Sequence, residues 1–191
     1  MKNIIFGFAV MGLFAACDNS QATIDSNAQP ADTGKSITAA QVSKTSTPTI
    51  QDVITGYLHI KNALAADNAK DAAAGGKMLA GSIAKVDVAS LDSSQQATLT
   101  DVREDMQEHA EHISMNEGKI AHQREHFDML SKDLYDLVKA VAPGQTLYQD
   151  HCPMYNKGKG ANWLSEVKDI KNPYLGLKMP ECGEVKETIA K

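Results

Sequence analysis

The sequence predicts a mainly α protein: an up-and-down four-helix bundle followed by a loop-rich C-terminal cap containing two or three short strands. Three observations carry that prediction. Apolar residues recur at three-and-four spacing through four successive stretches, which places a stripe on one face of each helix. Cap signals, glycine and proline divide the stretches with short connections, so that consecutive helices run antiparallel as neighbours. From Leu147 onward the helical period disappears and Tyr, Trp, Cys, Met, Pro and Gly take over.

The first helix starts near Thr49 and carries Ile50, Val53, Ile54, Tyr57, Leu58 and Leu64. A second, over 69–86, presents Met78, Leu79, Ile83 and Val86; Gly75 and Gly76 weaken it, since glycine costs about 1 kcal/mol against alanine in a helix. The third begins at the cap signal Asp92/Ser93 with Gln96 following. Its stripe is Leu99, Val102, Met106, His109 and Ile113, and Gly118 is a suitable stop. The fourth, over 119–141, uses Ile120, Phe127, Leu130, Leu134, Leu137, Val138 and Val141 and ends before Pro143-Gly144. The cap follows, folded against one end of the bundle, so that 49–189 forms one domain.

The segment before Thr49 is of a different kind. Lys2 supplies a positive start, Ile4 to Phe14 an apolar run, and Ala15-Ala16 small residues ahead of Cys17, the layout of an export signal over 1–16. Leu13-Phe14-Ala15-Ala16-Cys17 resembles a bacterial lipobox, which implies cleavage before Cys17 and lipidation of its thiol. Residues 17–48 are rich in small polar residues and too poor in large apolar ones to build a core. They read as a tether. The expected location is therefore the cell envelope, lipid-anchored to a membrane and facing the periplasm or the cell surface.

The formal charge of the 191-residue chain is −5 and no basic block stands out, which argues against a nucleic-acid partner. Lys157-Gly158-Lys159-Gly160 lacks the phosphate-loop pattern, and no nucleophile has an evident base, so no enzyme is expected. With Cys17 assigned to lipid, Cys152 and Cys182 remain as a pair. In an oxidising compartment they form a disulfide or hold a metal.

Metal chemistry is suggested by what accompanies that pair. Met154 follows Cys152 closely and Met179 precedes Cys182; thiolate and thioether favour Cu(I), and imidazole suits copper too. His112 and His126 fall at similar heights on helices three and four, on the flanks of their stripes, where side chains of antiparallel neighbours meet. His109 falls within its stripe and reads as a core histidine. His122 and His59 read as solvated. Gln123 lies mid-stripe and needs buried partners, which turns of the cap would supply. Trp163 reads as the anchor of the cap's core.

Several of these residues sit in recognisable strings: Gln123-Arg124-Glu125-His126-Phe127 with Leu130-Ser131, Tyr148, Cys152-Pro153-Met154, Gly160-Ala161-Asn162-Trp163-Leu164-Ser165, Ile170-Lys171-Asn172-Pro173-Tyr174, and Met179 with Cys182-Gly183. In these, over about 49–189, the chain resembles a domain family of unknown function found alone in Gram-negative envelope lipoproteins. The same domain is found fused to CusB-like adaptor proteins of copper/silver efflux. The resemblance implies a periplasm-facing, heavy-metal-handling domain with His112, Gln123, Arg124, His126, Cys152, Met154, Trp163, Met179 and Cys182 at motif positions. Tyr155 and Pro180 depart from the family's pattern. The expectation is a lipoprotein binding Cu(I) through Cys152, Met154, Met179, Cys182, His126 and His112, for sequestration or hand-over to an efflux adaptor or copper chaperone. The alternative is a structural or interaction module without metal, stapled by a Cys152–Cys182 disulfide.

Overall fold

Helix α1 (Ile50–Ala65) begins where the Asp52 carboxylate accepts the Thr49 backbone N–H at 2.6 Å, closing a capping box. In the computed structural model the described residues are 49–190; the expected export signal, Cys17 and the tether lie outside them. Beyond the C-cap of α1 at Ala66 the chain turns at Asp67, whose φ of 55° is left-handed, and the Asn68 side chain caps α2 (Ala69–Ile83) by accepting the Asp71 N–H. Helix α3 (Ser93–Met115) starts from the reciprocal box of Asp92 with Gln95, while the neighbouring Gln96 amide donates to the Leu91 carbonyl at 2.8 Å. Asn116 terminates α3 by donating to the His112 carbonyl, and α4 (Ile120–Val141) runs back.

Successive helices pack on one another, and α1 also meets α4, which closes the bundle. The predicted stripes supply most of its core: Ile54, Tyr57, Leu64, Leu79, Ile83, Met106, Ile113, Phe127 and Leu130 are fully buried, Ile60 joins them, and Met78, expected on the α2 stripe, is instead 40% exposed. Gly75 and Gly76 prove to be contact points. A Cβ on Gly76 would come within 2.7 Å of the Ala110 carbonyl, and one on Gly75 within 2.9 Å of the Ile60 side chain. The glycines therefore exchange helix propensity for close approach of α2 to α1 and α3.

The cap contains three short strands, β1 (Leu147–Cys152), β2 (Ala161–Ser165) and β3 (Glu184–Ile189), in the antiparallel order β2-β1-β3. It lies along the α1–α4 flank and not on one end of the bundle. Arg124 reaches Pro173, the Leu164 N–H donates to the Tyr57 hydroxyl, which also meets Ser131, and Glu187 accepts from Tyr135 and Lys139. These anchors span α4 from residue 124 to residue 139, roughly 22 Å at 1.5 Å per residue. No helix among the described residues is long and apolar enough to cross a membrane.

Candidate metal centre

The turn over residues 116–119 sets the register of α3 against α4, and that register brings four histidines together. His109 and His112 lie three residues apart on α3; His122 and His126 lie four apart on α4. Such spacings put each pair on one helix face. The His112 and His126 rings stack with centroids 4.3 Å apart and planes 14° from parallel. The His122 ring stands edge-on to His126 at 4.6 Å. Nδ1 of His109 lies 3.2 Å from Nδ1 of His126, so one of these rings donates to the other. One nitrogen from each of His112, His122 and His126 falls within 4.8 Å of the others.

Burial grades the cluster. His126 is 9% exposed, whereas the His122 side chain is 41% exposed and bonds Glu125 at 3.1 Å through Nδ1. His112 has Glu108 at 3.7 Å. Burial, reinforced by the neighbouring His112, His122 and His109, pushes the pKa of His126 down to about 4. Burial likewise lowers that of His109. His126 and His109 are thus held neutral, the form in which imidazole ligates a metal. Acidic partners on the outer rings are of the kind that orient metal-ligating histidines.

The expected ligands divide between two places. His112 and His126 meet in the hairpin. Cys152 and Cys182 meet in the cap as free thiols with their Sγ atoms 3.4 Å apart. Among the described residues, the group of potential ligand atoms within 4.8 Å of one another contains the three imidazoles and neither thiol. Met154 is 56% exposed, and Met179 is half-buried in the turn before Cys182. His122, read from the sequence as solvated, joins the cluster. His109, read as a core residue, is half-buried at its edge, and Ala110 takes the core position instead. The signal for both was available in the paired spacings of three and four on consecutive helices.

The supporting residues hold the hairpin and cap in place. The buried Gln123 amide donates to the Ala69 and Ile113 carbonyls at 2.9 and 3.1 Å. Its partners are therefore helix ends within the bundle and not turns of the cap. Arg124 donates to the carbonyls of Pro173 and Leu64 and pairs with Asp67, whose carboxyl it holds below the usual range. Trp163 is buried in the cap core, edge-on to Tyr174.

Residues 53–146 match the model of a family described as "Protein of unknown function (DUF3347)". The match takes in all four histidines and stops before β1. No curated protein and no solved structure matches the chain.

Proposed function

We propose, on the premise that residues 53–146 belong to this domain family of unknown function, that the protein binds a transition-metal ion, copper foremost, through His112, His122 and His126. It would hold that ion in the cell envelope, for sequestration or hand-over to an efflux system. The observation that carries the reading is the convergence of three imidazoles from two helices within 4.8 Å. Nδ1 of His122 is engaged by Glu125 and Nδ1 of His126 by His109, which leaves Nε2 of each ring for a metal. In a tetrahedral site with metal–nitrogen bonds of about 2.0–2.1 Å the nitrogens stand roughly 3.4 Å apart. Small rotations of the half-exposed His112 and His122 rings toward His126 close the remaining distance.

The ligand set bears on the ion. Imidazole alone suits copper, zinc and nickel, and copper binds most tightly among divalent first-row ions at a nitrogen site. The sulfur-based preference for Cu(I) belongs to the thiols of the cap and not to this cluster. Resemblance to domains fused to copper/silver efflux adaptors and the lipobox-like start favour an anchored envelope protein. The test is a titration of the full chain with copper against a competing chelator. One saturable equivalent is expected, and His126→Ala should weaken it at least 100-fold, as loss of a ligand exceeds the 10–100-fold typical of losing a ligand's partner. Unchanged affinity in His126→Ala sinks the proposal.

A further inference from the structure

Cys152 and Cys182, outside the histidine cluster, are placed against each other by dedicated local structure. Cys152 ends β1 and is fully buried; Cys182 is half-buried in the loop that leads into β3. That loop is organised around the buried Asn172. The Asn172 amide donates to the Cys182 carbonyl at 2.5 Å, its Oδ1 accepts the N–H groups of Tyr174 and Leu175, and its own N–H donates to the Pro180 carbonyl. Gly183 completes the approach at a φ of +153°. A Cβ there would fall within 2.9 Å of both the His151 carbonyl and the Trp163 ring. Only glycine lets the chain pass so close to the end of β1, and this passage sets Cys182 beside Cys152.

A thiol pair at this position has two uses. Sulfurs sharing a tetrahedral metal at about 2.3 Å each lie roughly 3.8 Å apart, close to the 3.4 Å found here, so the ligand set and not the spacing separates the two uses. No third Cys, His, Asp or Glu ligand atom joins them among the described residues. A disulfide at about 2.05 Å needs the sulfurs to close by roughly 1.4 Å, within the range of a side-chain rotation.

We propose that Cys152 and Cys182 are a reversible disulfide site that staples the loop over 166–183 to the strand β1. The half-buried Cys182 is the entry point. Its thiolate attacks a small-molecule disulfide, forming a mixed disulfide and releasing one thiolate. The Cys152 thiolate then attacks Sγ of Cys182 and expels the second. The protein loses two protons and two electrons, and the oxidant leaves as two thiols. Burial and the adjacent Cys152 raise the pKa of Cys182, so the staple closes slowly at neutral pH and, once closed, persists.

The experiment uses the full chain with Cys17→Ser, leaving two thiols, incubated with oxidised glutathione and read by intact mass and peptide mapping. The expected result is loss of two hydrogens and a linked peptide pair containing residues 152 and 182. Cys152→Ser should trap one glutathione on Cys182. In the reduced protein, Cys182 should alkylate about tenfold faster than Cys152, as exposure dictates. Two alkylatable thiols after oxidation, or glutathione accumulating on both cysteines without a linked peptide, would overturn the proposal. The mapping uses the unmutated pair, so it decides even if a variant fails to fold. None of these readouts involves copper, so the staple stands or falls apart from the histidine site.

Discussion

Asp150 sits mid-strand in β1, fully buried, opposite Trp163 on β2 and beside an irregularity in the pairing with β3. Neither of its carboxylate oxygens has a hydrogen-bond partner. Burial pushes its pKa up to about 7, although Lys61, itself buried and bonded to Glu166 at 2.7 Å, draws it back. An acid whose folded pKa exceeds its unfolded value of about 3.9 stabilises the fold most below that value. Its contribution is lost as pH rises through the folded pKa. Asp150 therefore removes on the order of 4 kcal/mol between about pH 4 and pH 7. Asp150→Asn should flatten that part of the stability profile, measured by urea unfolding at several pH values; an unchanged slope would mean that Asp150 is not the titrating group. In the hairpin, His109 touches the cluster only through His126, as a positioning residue. His109→Ala should weaken copper binding about 10–100-fold, while His59→Ala, whose ring bonds Asp71 on α2, should leave it unchanged. Equal effects would make the loss at His109 a general one.

Helix α2 gives the sharpest test among the elements. Alanine improves the propensity of a helix by about 1 kcal/mol over glycine, yet Gly76→Ala would drive a Cβ to 2.7 Å from a backbone carbonyl of α3. Backbone yields little, so the substitution should destabilise by roughly 1–3 kcal/mol, read as a fall in the denaturant midpoint. A stabilised variant would show that the contact gives way. The same position marks a limit of reading from sequence. Periodicity revealed that α2 exists and which face it buries, because burial of Leu79 and Ile83 is written into their spacing. Why two glycines sit in its middle depends on what approaches from α1 and α3, and that is non-local. The histidines divide similarly. His112 and His126 are legible from their heights above the turn, while His122 is not, because it stands away from the apolar stripe of its helix. The rings meet on the flank of the stripe, where α3 and α4 converge. That the thiols lie apart from the imidazoles is illegible for a related reason, since the cap lies along α1 and α4 and its chain path carries no periodic signal.

Across the whole described domain, cap and bundle are joined by a few polar clamps around a shared apolar core. Arg124 is the most connected of them, tying α4 to the end of α1 and to the loop at Pro173. Arg124→Ala removes its bonds to the Pro173 and Leu64 carbonyls and to Asp67, while Asp67 keeps the Leu177 N–H and Leu64 keeps the Asp67 N–H, and hydrogen bonds from a charged group contribute about 1.5–3 kcal/mol each. The two carbonyl bonds set the expected loss, on the order of 3–6 kcal/mol, since the exposed Asp67 pair adds little; faster amide exchange in the 166–183 loop than in α3 should accompany it, and uniform exchange would mean that the clamp is not local. The histidine cluster lies on the α3 side of α4, so copper binding should survive this change as long as the bundle folds. The most direct test of the central claim is X-ray absorption on the full chain loaded with one equivalent of copper. The histidine site predicts a first shell of imidazole nitrogens at about 2.0–2.1 Å with no sulfur, lost in the His112→Ala/His122→Ala/His126→Ala variant. A sulfur shell near 2.3 Å, or a nitrogen shell that persists in the triple variant, would contradict it.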